Sequence, residues 1–284
     1  MDDSNMFTVT PMSNKIALDA GDTYEGDIIV ANPANATSDF AYKVTVSAYN
    51  VKGEDYVADF LNDTERSQIV DWIKIDNPTG VLKPNETVKV HYKVSVPSSA
   101  PAGGQYAAFL ISSVAKDTAS DGFSVKNIFE MASILYAQIN GEIVRDGKLL
   151  SNEVPGFVTK VPIEVASSYQ NDGNVHETAR ISLEVRNFIS SSVIYPESGE
   201  SGTVEEVIMP GTTRRVTRNI EGLSPLGLYK VSQTINYMGS TSIESKVIVA
   251  CPIWFMVLVL VTITAIVVTF IQAAKHRRKK KQVF

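Results

Sequence analysis

Between residues 6 and 249 apolar and polar positions alternate in short runs, broken repeatedly by Pro, Gly, Asn and Asp. The run Phe40–Ala48 puts Phe40, Tyr42, Val44, Val46 and Ala48 on one face, and residues 88–96 and 181–185 follow the same rule. Period-two alternation in β-branched and aromatic residues marks half-buried strands. So many in succession predict an all-β sandwich architecture. The pattern changes completely at Ile253. Twenty-two residues, 253–274, carry no charge and one amide, Gln272, and a basic run follows at once: Lys275, His276, Arg277, Arg278, Lys279, Lys280, Lys281. A helix of that length rises about 33 Å, enough for a hydrocarbon core of about 30 Å. Pro252 stands where a helix tolerates proline in its first turn, and Trp254 where aromatic rings favour the membrane interface. The one-sided basic cluster predicts a cytoplasmic C-terminus and an outward N-terminal part. Such an arrangement normally uses an N-terminal signal peptide, and Met1-Asp2-Asp3-Ser4-Asn5 has neither a basic start nor an apolar run. A mature form, or a start further upstream, is the expectation.

The strand region reads as two copies of one design. Val81-Leu82-Lys83-Pro84-Asn85-Glu86-Thr87-Val88 aligns without gaps to Val207-Ile208-Met209-Pro210-Gly211-Thr212-Thr213-Arg214. In each, Pro presets φ and Asn or Gly tolerates positive φ, so a tight turn delivers a new strand. Downstream, Pro101-Ala102-Gly103-Gly104-Gln105-Tyr106 returns as Pro225-Leu226-Gly227-Leu228-Tyr229; upstream, Val30-Ala31-Asn32-Pro33 parallels the turn around Asn171-Asp172-Gly173-Asn174. Three motifs in one order predict tandem immunoglobulin-like β-sandwiches followed by a single C-terminal transmembrane α-helix, with a corner tyrosine in the Pro-Gly-Tyr element. The expected divisions are a first sandwich at 6–144 with an inserted loop at 51–68, and a second at 145–249. A transmembrane helix at 250–274 and a basic cytoplasmic tail at 275–284 complete the chain. Residues 142–155 read as a linker, Trp72 to Ile75 as an alternating strand, 117–122 as a turn-rich break and 124–132 as a turn or two of helix.

Composition narrows the function. The tail holds six Lys/Arg and no acid, which leaves 20 basic against 31 acidic residues elsewhere, a net of −11. That balance argues against nucleic acid, whose phosphates need clustered Lys and Arg. Cys251 is the only cysteine, so no intrachain disulfide forms. An exported, cysteine-poor, anchored chain reads as a bacterial surface protein of the Gram-positive type. No convergent catalytic set, zinc spacing or phosphate loop is present, and no cofactor is expected. His91 and His176 read as structural or solvated. Asp117 to Gly122 and Asn171 to Asn174 resemble calcium loops but lack the terminal bidentate carboxylate, so they read as turns. The triplets at Asn35, Asn62 and Asn85 are no more than chance supplies among sixteen Asn. No sortase pentapeptide precedes the helix, and Leu223-Ser224-Pro225-Leu226-Gly227 is only a distant echo. The chain is expected to stay in the membrane.

On Trp72-Ile73, the Val81-x-x-Pro84 turn, Val96-Pro97, Pro101-x-Gly103-Gly104 and the opening Phe7-Thr8-Val9-Thr10-Pro11, the chain resembles surface proteins of Gram-positive bacteria associated with WxL cell-wall proteins. That resemblance implies a first domain that binds peptidoglycan, a second that binds the host, and a C-terminal anchor. The reading is a non-catalytic, membrane-anchored binding protein whose partners are wall polymer, a WxL-type surface protein or host matrix. A structural subunit of a pilus-like or envelope assembly is the alternative. The long loop 51–68 is the expected recognition surface, and its deletion at 53–65 is expected to spare stability.

Overall fold

A computed structural model describes residues 7–114, 129–196 and 201–281. The expected break at 117–122 lies outside the described residues, as does most of 124–132. The chain is mostly strand, built as two immunoglobulin-like sandwiches and a C-terminal helix.

The first sandwich comprises β1 (Thr8–Thr10), β2 (Ser13–Leu18), β3 (Thr23–Ala31), β4 (Phe40–Ala48), β5 (Asn50–Lys52) and β6 (Val57–Asp59). After the short helix α1 (Ile69–Trp72) come β7 (Ile73–Ile75), β8 (Thr79–Leu82), β9 (Thr87–Ser95), β10 (Gly103–Ser113) and β11 (Glu130–Ile139). One sheet has the order β1-β3-β9-β7 and the other β2-β11-β10-β4-β8. The N-terminal strand changes sheets at Pro11, antiparallel to β3 before it and parallel to β11 after it. Alternation along β4 and β9 turns Tyr42, Val44, Val90, Tyr92 and Val94 inward, where they meet Phe7, Ile28, Phe109 and Leu135. The Phe7 and Phe40 rings stack at 4.3 Å.

The second sandwich comprises β12 (Gly147–Glu153), β13 (Phe157–Val158), β14 (Ile163–Asn171), β15 (Glu177–Asn187), β16 (Val193–Tyr195), β17 (Thr203–Ile208), β18 (Thr212–Ile220), β19 (Gly227–Tyr237) and β20 (Ser240–Ala250). The order β12-β14-β18 forms one sheet, and β13-β20-β19-β15-β16 the other, with β17 also on β15. Here too the leading strand is split, since β13 runs parallel to β20. Ile163, Val165, Leu183, Val185, Val231 and Ile248 fill its core. Helix α2 (Ile253–Lys281) follows.

Three expectations change. The linker at 142–155 contains β12, an edge strand whose Gly-Lys-Leu-Leu-Ser-Asn-Glu composition lacks the β-branched residues that advertise strands. Trp72 ends α1 rather than opening a strand; a turn at Ser67 aims the fully buried Ile69 into the core. The stretch 51–68 is not a bare loop, because β5 and β6 pair as a hairpin inside it. By contact the chain divides into two compact units, Met1–Lys148 with Tyr169–Thr178 and Val207–Arg214, and Leu149–Ser168 with Ala179–Glu206 and Arg215–Phe284.

Candidate functional site

The turn motifs carry out the predicted backbone chemistry. Asn85 and Gly211 occupy the same place in the two copies, at φ of 66° and 74°. The corner glycines also correspond: a Cβ on Gly104 would fall 1.8 Å from the Tyr106 hydroxyl, and one on Gly227 2.6 Å from that of Tyr229. Tyr229 is a true corner tyrosine, its hydroxyl donating to the Ser224 carbonyl at 2.8 Å. Tyr106 has a different setting. It is fully buried at the centre of an aromatic group in the first unit, 6.0 Å from Tyr136 and 5.8 Å from His176. His176 also lies 5.3 Å from Tyr136, and its Nδ1 is buried without a hydrogen-bond partner among the described residues. Burial, with smaller contributions from Lys15 and Arg145, holds its pKa down at about 4. Burial likewise pushes the hydroxyls of Tyr106 and Tyr136 well above the usual phenol range.

Two open cavities of about 260 Å³ each adjoin this group, and Arg66 lines both. One is bounded by Glu65, Gln68, Pro101, Gly104, Gln105 and Asn174. Arg66 Nη1 donates to the Asn174 carbonyl at 2.9 Å, and the Gly104 N–H reaches the same oxygen at 2.8 Å. Gln105, almost fully buried, donates through Nε2 to the Glu65 carbonyl at 3.1 Å. The second cavity lies under the 50–64 hairpin and includes Asn50, Asp59, Asn62 and Thr64. Asn62, the Lys52 ammonium at 2.9 Å and the Leu61 N–H hold the Asp59 carboxyl down at about 2. These are guanidinium, amide and hydroxyl groups fixed around a groove, suited to binding a polar chain.

The hairpin is not the loose loop that its composition suggests. The Tyr56 hydroxyl accepts from the Met209 N–H at 2.9 Å and bonds Thr212 Oγ1, and the Arg214 guanidinium lies 4.5 Å from its ring centroid. Sequence pattern does not single out Tyr56, because a lone tyrosine in a Gly-Glu-Asp stretch has no periodicity to reveal its burial. Asn171 to Asn174 form the expected turn: Asn171 Oδ1 accepts from the Gly173 N–H at 3.0 Å. No group of three His, Cys, Asp or Glu able to hold a metal occurs among the described residues. His91 faces solvent, 2.9 Å from Asp27, which raises its pKa.

At the other end, Pro252 precedes the first helical residue rather than sitting inside the first turn. Its carbonyl accepts from the N–H groups of Phe255 and Met256 at 3.0 and 3.2 Å. Residues Ile253–Ala273 are long and apolar enough to cross a membrane, and none of that span is buried against the protein. Trp254 is exposed at its start. The basic residues Lys275, Arg277, Arg278, Lys279, Lys280 and Lys281 continue the same helix.

No protein-family model matches the chain, and no curated protein does. Among solved structures it is similar to the class 5 fimbriae chaperone CfaA, at 12% identity over 85% of this chain and 99% of that one, with a TM-score of 0.41. It is also similar to the CsuC–CsuE chaperone–tip adhesion subunit complex of Acinetobacter baumannii Csu pili (13%, 85% and 98%, 0.41). The E. coli chaperone DraB is a third (9%, 86% and 97%, 0.39). At these scores the likeness adds nothing to the fold, which rests on the strands and registers described above.

Proposed function

We propose that this chain is a non-catalytic cell-surface binding protein held by one transmembrane helix, with its tail, residues 275–284, in the cytoplasm and its sandwiches outside. The observation that carries this reading is the bare apolar span Ile253–Ala273, which has no protein surface to cover it and ends in a basic run. We assign residues 6–144 and 145–249 as the two presented domains and 250–274 as the anchor. Pro252 and Trp254 mark its outer edge, and the six Lys and Arg its inner one. The grooves around Arg66 support wall polymer as the partner. A guanidinium beside Gln68, Gln105 and Glu65 matches the carboxylates and amides of a peptide-crosslinked glycan. The resemblance to WxL-associated surface proteins favours the same partner and a Gram-positive-type cell.

Full-length protein in detergent micelles should co-sediment with purified peptidoglycan. The Arg66→Ala and Gln68→Ala variants should each lower the bound fraction. Binding by both variants equal to that of the parent removes the groove from the reading. Retention by neither peptidoglycan nor a cell-surface extract removes the binding function itself.

A further inference from the structure

The second sandwich meets the anchor through almost no linker. Cys251 donates its N–H to the Val158 carbonyl at 2.9 Å, and Val249 to that of Gly156 at 3.0 Å, so the chain is still fastened to β13 one residue before Pro252. Helix α2 begins at Ile253. Consecutive Cα atoms are about 3.8 Å apart and neighbouring strands about 4.8 Å, so whatever shares this end of the sandwich lies within roughly 20 Å of the start of the helix.

Register identifies what shares it. Phe157 pairs with Val249, Val249 with Leu228, and the Phe188 N–H donates to the Leu228 carbonyl at 2.9 Å. One rung across four strands is therefore Phe157, Val249, Leu228 and Phe188, and only the rung of Val158, Ala250 and Gly227 lies between it and the point where the chain leaves the sheet. Phe157, Phe188 and Val249 are exposed. Beyond it, Ile189 is 83% exposed and Leu226 is exposed as well. These are built turns. Asn187 Oδ1 accepts from the N–H groups of Ile189 and Ser190 at 2.9 and 3.0 Å, and the Tyr229–Ser224 corner fixes the loop of Leu226. The segments 156–162, 187–193 and 221–229 contain only Lys160 and Glu221 as charged residues. Two rungs behind, on the same face of the sheet, Val247 pairs with Lys230 and Lys230 with Arg186, so basic groups follow the apolar edge within about 7 Å. Arg186 is itself paired with Glu184 at 2.7 Å.

Apolar loop tips backed by Lys and Arg match the boundary between acyl chains and headgroups. We propose that this end of the second sandwich is seated in the outer interface of the bilayer that α2 crosses, with Phe157, Phe188, Ile189 and Leu226 entering it. Lys230 and Lys160 would meet lipid phosphate. This rests on the transmembrane reading of α2. It makes the membrane a second binding partner of a folded domain and fixes that domain's height above the lipid.

The test uses the full chain in phosphatidylcholine–phosphatidylglycerol vesicles, in a Cys251→Ser background. An environment-sensitive fluorophore is placed on Ile189→Cys, on Ile263→Cys in the helix, or on Ser240→Cys in the hairpin at the far end of β20. Interfacial loops enter about 5–10 Å, so the label at 189 should lose most of its emission to spin-labelled headgroups and little to aqueous iodide. The label at 240 should do the reverse, and the label at 263 should respond only to spin labels deep in the acyl chains. A label at 189 that behaves like the one at 240, while 263 stays in lipid, overturns the inference and leaves the anchor intact. A label at 263 open to iodide overturns the anchor, and this inference with it.

Discussion

Asn32 and Asn171 occupy the same place in the two copies, and both are buried. Asn32 Nδ2 donates to the carbonyls of Ser38 and Leu82, each at 3.0 Å. Asn171 Nδ2 donates to those of Val175 and Ile208 at 2.8 and 2.9 Å. Leu82 and Ile208 correspond in the aligned turn motif, so each copy ties its first turn to the end of the strand before the Pro-Asn or Pro-Gly turn. Truncating Asn171→Ala leaves two buried carbonyls without donors, and should cost roughly 1–3 kcal/mol in denaturant unfolding. An unchanged midpoint would show that water replaces the amide. His176 makes a pH prediction. Its folded pKa of about 4 lies below the ordinary 6.5, so the unfolded chain binds the extra proton. The contribution is fully present above pH 6.5 and disappears as pH falls towards 4, on the order of 3 kcal/mol in all. His176→Phe, which keeps a ring between Tyr106 and Tyr136, should flatten the stability profile over that window. His91 has the opposite sign: its raised pKa gives a contribution present below 6.5 and lost as pH rises through the folded value.

At the level of elements, the hairpin β5–β6 shows how a polar stretch becomes structure. Asn50 pairs with Asp59 and Lys52 with Val57, while Tyr56, at φ 56°, turns its ring to Met209, Thr212 and Arg214. Tyr56→Phe removes the acceptor of the Met209 N–H and should lower stability by about 1–2 kcal/mol in a thermal or denaturant melt. Deleting residues 53–65 removes Tyr56 and Asp59 together and should cost more than that single change. A deletion as stable as the parent would return the segment to the status of a surface loop. Strands with strict alternation, such as β4, β9 and β15, are legible in sequence because one buried face repeats every second residue. Strand β12 and helix α1 are not. Their burial comes from neighbours placed by distant parts of the chain, and four or seven residues carry too little periodicity to show it.

For the whole molecule, the proposed separation into outward sandwiches and a membrane helix predicts a clean fractionation. Expressed in cells with a membrane leader, the full chain should remain in the pellet after alkaline carbonate extraction. A version ending at Ala250 should move to the soluble fraction. Release of the full chain by carbonate would overturn the transmembrane reading of α2. Exchanging the six tail Lys and Arg for Gln should loosen the fixed orientation, read by protease access to the tail, because basic residues flanking one end set which side it occupies.

Sequence alone determined what depends on near neighbours. Strand alternation, the apolar span and its basic flank, and the paired Pro-Asn and Pro-Gly turns all follow from side-chain period and allowed φ. Only the tertiary structure decided which distant groups meet. It put both Asn amides on matching turn carbonyls, His176 between two tyrosines, Arg66 between two grooves, and Phe157, Val249, Leu228 and Phe188 on one rung near the start of α2. Those juxtapositions are set by strand register across dozens of residues. Local alternation limits register only to steps of two, and the partners are fixed when the inner faces of the two sheets are buried against each other.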